Sequence, residues 1–211
     1  MKITVFGATG KVGSRVVAEA LDRGHEVMAI TRDANKQGAL PYDVALHSGN
    51  IGNAIDVALY SRGQDVVINA TRPASRRDAS RTTRELMKGM VDTGARLLIS
   101  GGAARLEVPN TGGTMVLDDS RYLPSAARHI GEVSLDQYCA CRAEQTVDWA
   151  YLSPAASLFA GTRTGSYRLG KDELLLDENG ESRISMEDLA VVLLDEVDRP
   201  RHHRTGFTAA Y

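Results

Sequence analysis

The stretch that most constrains this chain is Phe6-Gly7-Ala8-Thr9-Gly10-Lys11-Val12-Gly13, directly after the apolar run Ile3-Thr4-Val5. Its glycines follow a G-x-x-G-x-x-G spacing. The first permits a sharp exit from a strand, the second lets backbone approach a pyrophosphate, and the third lets a helix pack close to a sheet. N–H groups and the dipole at the helix start favour a phosphate there. A glycine pattern alone is weak. Its setting after a strand and before a helix, inside a βαβ unit, gives it meaning. Lys11 either reaches a phosphate or stays solvated.

The rest of the first half repeats the alternation. Residues 2–6 form a short β-rich run, and Val12, Val16, Val17, Ala20 and Leu21 recur at helical spacing before Gly24. Residues 25–31 read as a second strand, 43–47 as a weak third and 54–60 as a short helix. Residues 65–70 read as a fourth strand, 82–93 as a helix and 96–100 as a fifth strand. Runs apolar on both faces and separated by helices are what a buried parallel sheet requires. The fold class predicted is α/β, a Rossmann-type doubly wound parallel sheet.

The second half is less regular. Residues 103–128, rich in Gly, Pro and Asp, read as a long loop over one end of the sheet. Residues 132–146 read as a helix and 149–152 as a strand. Residues 173–177 and 182–184, around Glu178-Asn179-Gly180, read as a hairpin. Ser185-Met186-Glu187-Asp188 caps a last helix over 189–197, and 207–211 forms a closing strand. This half is a small C-terminal substrate-side extension of a single domain, 1–211.

Composition narrows the classes. With 43% hydrophobic and 25% charged residues and a net charge of −2, the chain has the balance of a globular domain without a general pull toward nucleic acid or anionic membrane. No apolar run approaches the span of a bilayer, and the opening reaches glycine too soon for a signal peptide, so a cytoplasmic location is expected. Cys139 and Cys141, two apart on a helix, suit reduced core thiols better than a disulfide. Arg201-His202-His203-Arg204 reads as an exposed loop rather than a metal site, because further ligands at suitable spacing are missing. No metal is expected.

Strand two ends in Thr31-Arg32-Asp33. An acidic residue there suits the ribose 2′-hydroxyl of NAD, whereas an arginine accommodates the 2′-phosphate of NADP. Arg32 falls first, and Thr31 adds a hydroxyl. Asp33 is the counter-signal unless it closes the following turn. The residues favour NADP(H), with NAD(H) possible.

The spacing G-x-x-G-x-x-G resembles the atypical and extended short-chain dehydrogenase/reductases. Within them, KITVFGATGKVG, HEVMAITRD, GQDVVINATRP, RLLISGGAARLEV, DWAYLSPAASLFAGTRTGSYRLG and ISMEDLAVVLLDE resemble the NAD(P)H-binding NADH-flavin reductase family. That family is similar to biliverdin reductase B/flavin reductase and, more distantly, to NmrA-like regulators. These stretches run from Lys2 to Glu196. The resemblance implies that Gly7, Thr9, Gly10, Lys11, Val12 and Gly13 hold the pyrophosphate and that Arg32 meets the 2′-phosphate. Asn50 and Ile51 would flank adenine, the Asn departing from the family's acidic residue. Ala70, Thr71 and Arg72 would line the nicotinamide ribose. Ser100, Gly101 and Gly102 would face the reactive end, with Pro154 and Ala155 beyond them.

Carbonyl reduction needs a proton donor, which short-chain dehydrogenases supply with Tyr-x-x-x-Lys. Of Lys2, Lys11, Lys36, Lys88 and Lys171, only Lys171 follows a tyrosine, Tyr167, at that spacing, and the expectation is that no such dyad serves the site. Tyr138 and Arg142, at i and i+4, read as a helix-surface pair. An electron-poor flavin or quinone needs no such dyad, because it accepts hydride when stacked on the nicotinamide. The protein then supplies position and a stacking surface. Ser100 is the best-placed steering hydroxyl, and His129 lies near the expected pocket mouth. The expected partner is a small planar acceptor, with flavin as substrate rather than tightly bound cofactor. Arg72, Arg76, Arg77, Arg81, Arg84 and Lys88 form either a basic rim for phosphates or a solvated face. The alternatives are a non-catalytic redox sensor of the NmrA-like type acting through a protein partner, and an epimerase or dehydratase with bound NAD. The sequence leaves oligomeric state open.

Overall fold

A computed structural model describes residues 1–35, 38, 40–41 and 44–211. Strands β1 (Lys2–Phe6), β2 (Glu26–Thr31), β3 (Ala45–Ser48), β4 (Val66–Asn69), β5 (Arg96–Ser100) and β6 (Trp149–Pro154) lie parallel in one sheet. Asp43 and Lys36 lie outside the described residues. After β7 (Ser157–Phe159), β8 (Arg168–Gly170) and β9 (Arg183–Ser185), β10 (Thr205–Ala210) joins that sheet parallel to β6. The order is β3-β2-β1-β4-β5-β6-β10-β8, with β8 the antiparallel edge. Chain direction reverses its march between β1 and β4. This reversal opens the crevice at the strands' carboxyl ends.

Alternate residues of each central strand feed opposite faces, as the two-residue period requires. Ile3, Val5, Val66, Ile68, Leu98, Ala150 and Leu152 pack under α1 (Lys11–Asp22) and α5 (Met186–Asp198). Phe6, Val67, Leu97, Ile99, Trp149 and Tyr151 pack under α2 (Ala54–Ser61), α3 (Arg76–Met90) and α4 (Arg128–Arg142). Both faces are covered. The apolar runs were therefore a sound guide to a doubly wound sheet.

Three details differ from the sequence reading. Helix α3 starts at Arg76, not at residue 82: Ser75 Oγ accepts the Asp78 N–H at 3.2 Å, while an Asp78 oxygen accepts the Ala74 N–H at 3.1 Å. This first turn is polar throughout, so hydrophobic periodicity misses it and only the cap reveals it. The 173–184 hairpin does not form. A turn does close at Asp177–Gly180, but β9 pairs in parallel with β7. Residues 103–128 form no bare loop. They make three short 3-10 turns around a small separate core of Leu106, Val108, Val116 and Leu174.

Arg105 ties this lobe to the sheet. Its guanidinium donates to Ser153 Oγ at 2.8 Å, Asp172 at 2.6 Å and the Lys171 carbonyl at 2.8 Å, and lies 4.7 Å from the Tyr138 ring centre. Tyr138 is thus packed beneath an arginine rather than paired with Arg142 on the surface. Cys141 is buried, which pushes its thiol pKa up, but Cys139 is exposed, against the expectation of two core thiols. His202 is also not a free loop residue. It stacks on Phe207 at 4.1 Å and contacts Glu196 at 2.8 Å. No helix is long and apolar enough to cross a membrane among the described residues.

Candidate functional site

The glycine turn is built by backbone geometry. Gly7 takes φ +79°, and a Cβ on it would stand 2.9 Å from Thr71 Cγ2. The Gly7 and Ala8 N–H groups donate to the Ile30 carbonyl at 2.9 and 3.2 Å, fastening the turn to β2. The Gly10 N–H donates to the Gly7 carbonyl at 2.9 Å, and Gly10 then caps α1 in extended conformation with no side-chain cap. No acidic residue stands in the first turn of α1. The N–H groups of Lys11, Val12 and Gly13 precede the first intrahelical bond, from Ser14 to Gly10, the place where a helix start favours an anion. A Cβ on Gly13 would sit 2.1 Å from the Gly7 oxygen, so only glycine lets α1 begin this close to β1.

Neighbouring strand ends bring the other expected residues to the same rim. Thr31 turns its hydroxyl to Thr9 at 3.0 Å instead of outward. Arg32 is exposed just beyond β2 and has no acidic partner among the described residues. Asp33 closes the next turn, its Oδ1 accepting the Asn35 N–H at 3.1 Å and the Asn35 amide at 3.2 Å. After β3, Asn50 donates its N–H to Asp56 at 2.8 Å and accepts the Gly52 N–H at 2.9 Å, with Ile51 buried behind it.

Ala70, Thr71 and Arg72 follow β4. Their turn is fixed by buried Asn69, whose Oδ1 accepts the Thr71 N–H at 2.9 Å and hydroxyl at 2.7 Å. Sequence reasoning passed over Asn69; its signal was one polar residue ending an apolar strand.

At β5, Ser100 is half-buried and its hydroxyl has no protein partner among the described residues. Gly101 and Gly102 are glycines for a reason not visible in sequence: the space for a Cβ on Gly101 is filled by the Tyr151 ring, 2.0 Å away, and that on Gly102 by Ser134 Oγ, 2.7 Å away. The Tyr151 hydroxyl accepts the Gly102 N–H at 3.3 Å and donates to the Ser134 carbonyl at 2.9 Å. Complete burial raises its pKa, so the phenol stays protonated inside the core. Pro154 ends β6 and Ala155 is buried after it. His129 is exposed on the first turn of α4.

Of the basic residues near α3, Arg76 pairs with Asp136 at 2.7 Å and Arg81 with Asp78 at 2.8 Å, while Arg72, Arg77, Arg84 and Lys88 are exposed. A hollow of about 450 Å³ lies elsewhere, beside the C-terminal ends of α1 and α5, lined by Arg23, Tyr167, Asp195 and Phe207. It shares no residue with the glycine turn.

The rim therefore combines the N-terminal N–H groups of α1, the exposed Arg32 one strand over, and the small residues Gly101 and Gly102 at the end of β5. Residues 7–200 match the NAD(P)H-binding family. The chain belongs to that family. It is also similar over its whole length to solved structures. One is a candidate exported protein from Burkholderia pseudomallei, 34% identical, with all of both chains covered and a TM-score of 0.88. Another is a candidate epimerase from Bacteroides thetaiotaomicron, 32% identical, covering 100% of this chain and 96% of that one at TM-score 0.89. A third is a candidate NADH-flavin reductase from Streptococcus pneumoniae TIGR4, 28% identical, covering 100% and 99% at TM-score 0.86. Family and rim agree: this is an NAD(P)H-binding, oxidoreductase-like Rossmann fold.

Proposed function

We propose that the protein is a cytoplasmic, NADPH-preferring reductase that passes hydride to a flavin, quinone or similar planar acceptor taken as substrate. The observation carrying NADPH is the pair at the end of β2. Arg32 is open at the rim, while the Asp33 carboxylate, the group that would hold a free ribose 2′-hydroxyl, accepts the two Asn35 donors. Bound along the rim, the reduced dinucleotide supplies the hydride. The N–H groups of residues 11–13 hold its pyrophosphate, Arg32 its 2′-phosphate, Asn50 and Ile51 the adenine, and Ala70, Thr71 and Arg72 the nicotinamide ribose.

The planar acceptor follows from what the reactive end offers. Tyr151 is sealed in the core and Tyr138 lies under Arg105. Tyr167, four residues before Lys171, donates to Asp195 beside the separate hollow at the C-terminal ends of α1 and α5. None of the three supports proton donation to an alkoxide at the rim, whereas a flavin or quinone takes its second proton from solvent. In this reading a flat ring stacks over the small residues at the ends of β5 and β6, Ser100, Gly101, Gly102 and Pro154, and the Ser100 hydroxyl steers it. Nucleic acid and membrane are not partners in this reading. Steady-state assays of NADPH and NADH against FMN, FAD and several quinones test it. Turnover with at least one acceptor, faster with NADPH, is expected. Confirmed cofactor binding with no turnover would refute the catalytic reading and leave a dinucleotide sensor that signals through a protein partner.

A further inference from the structure

Glu187, in the first turn of α5, joins two parts of the molecule that the chemistry must bring together. One carboxylate oxygen accepts Arg15 Nε at 2.6 Å and the other accepts the Gly161 N–H at 2.8 Å. Arg15 in turn donates Nη1 to the Lys11 carbonyl at 2.7 Å. The path thus begins in the glycine turn and ends in the segment following β7. The side chains of Arg15 and Glu187 are 28% and 21% exposed, so the pair is partly shielded from solvent.

The segment beyond Gly161 is pinned at three further points, one of them the Thr162 carbonyl, which accepts Ser185 Oγ at 3.1 Å. Buried Asp188 accepts the N–H groups of Thr164 and Gly165, each at 2.8 Å, and Arg163 grips Glu19 at 2.7 and 2.9 Å. The Arg163 contact reaches α1 near its C-terminal end, whereas among the described contacts the Glu187 one leads to Lys11 in the glycine turn. At its other end, Gly161 lies against an exposed aromatic ring: a Cβ on Gly161 would stand 2.8 Å from Phe159 Cε2. Gly161 and the Phe159 ring are thus close neighbours, and Phe159 follows the β6 end where Pro154 and Ala155 stand.

The peptide unit supplies the coupling. The Lys11 carbonyl and the Val12 N–H belong to one amide. An anion on that N–H polarises the carbonyl and strengthens the bond it accepts from Arg15, as in any hydrogen-bond chain. We infer that Glu187 is a positioning residue, which with Arg15 couples dinucleotide occupancy of the glycine turn to the setting of residues 159–161 beside the acceptor. This rests on the functional reading above.

Trypsin cleavage after Arg163, followed by mass spectrometry with and without NADPH, reads the coupling, and NADPH fluorescence titration reads binding separately. NADPH should slow that cleavage at least about fivefold in the wild type, the lower end of ordinary coupling between sites. Glu187→Gln keeps an acceptor for Gly161 but loses the ion pair. It should still bind NADPH, with protection by NADPH falling below about twofold. Arg15→Ala should behave alike, and the double variant no worse than either, because all three break one link. Equal protection in the wild type and both single variants, additive losses, or a wild type that binds NADPH without protection would each overturn the coupling alone. A wild type that binds no dinucleotide overturns the functional reading and the coupling with it.

Discussion

The carbonyl oxygen of Gly7 lies 2.1 Å from where a Cβ on Gly13 would stand. The two glycines are thus one device: the exit of β1 and the first turn of α1 occupy space that no side chain can share. Gly13→Ala must push the helix start outward and misalign the N–H groups of residues 11–13. Overpacking of this kind costs about 1–3 kcal/mol. The expected result is a lower urea midpoint together with at least tenfold weaker NADPH binding, about 1.4 kcal/mol. A variant that titrates with NADPH like the wild type would refute the cradle.

In the proposed reading, Arg32 discriminates cofactors only through the 2′-phosphate. Removing a charged hydrogen-bond partner costs about 1.5–3 kcal/mol. Arg32→Ala should therefore raise the Kd for NADPH roughly 10- to 100-fold and leave that for NADH within about twofold. Equal losses for both cofactors would show that Arg32 serves the fold or the adenine instead.

How much of this was legible beforehand follows from the range of each interaction. The β1–β6 strands and the glycine turn were readable because their signals are local: apolar runs, helical spacing and a glycine pattern set between them. The start of α3 was hidden by its polar first turn, although Ser75 and Asp78 marked it. The β7–β9 pair was not readable, since it joins three-residue segments far apart in sequence, and a local turn at Asp177–Gly180 imitates a hairpin. Arg32 and Ser100 could be placed at the ends of their strands from sequence position alone. The closing of Gly101 by Tyr151, or the Arg15–Glu187–Gly161 path, depends on packing between distant elements that no short window contains.

Glu196 supplies a pH-dependent contribution to stability. Burial opposes its ionisation, but the Arg201 N–H, Arg96 and His202 together hold its carboxyl below the ordinary value of 4.5. A depressed folded-state pKa means the stabilisation is complete above the unfolded value and is lost as pH falls through the folded one. Wild-type stability should decline below about pH 4.5, and Glu196→Gln should show a shallower decline there. At neutral pH that variant leaves Arg96, buried and 2.7 Å from the missing charge, with the half-exposed Asp148, 3.3 Å from its Nε, as its remaining carboxylate partner. The expected loss is about 3–5 kcal/mol, measured by urea unfolding. A loss below 1 kcal/mol would mean that Asp148 alone compensates Arg96.

Ser100 and Tyr151 separate steering from proton transfer. In the proposed reading the Ser100 hydroxyl, which has no protein partner among the described residues, meets the acceptor, and a neutral hydrogen bond is worth about 0.5–1.5 kcal/mol. Ser100→Ala should raise the acceptor KM by roughly two- to tenfold with the NADPH Kd unchanged. The Tyr151 hydroxyl instead serves Gly102 and Ser134 inside the core. Tyr151→Phe leaves the Gly102 N–H without its acceptor, costing about 1–3 kcal/mol of stability. Because that phenol never meets substrate, kcat at saturating NADPH and acceptor should stay within about threefold of the wild type, a shift under 0.7 kcal/mol. A fall of 100-fold or more with unaltered thermal unfolding would make Tyr151 the missing proton donor and return carbonyl substrates to consideration.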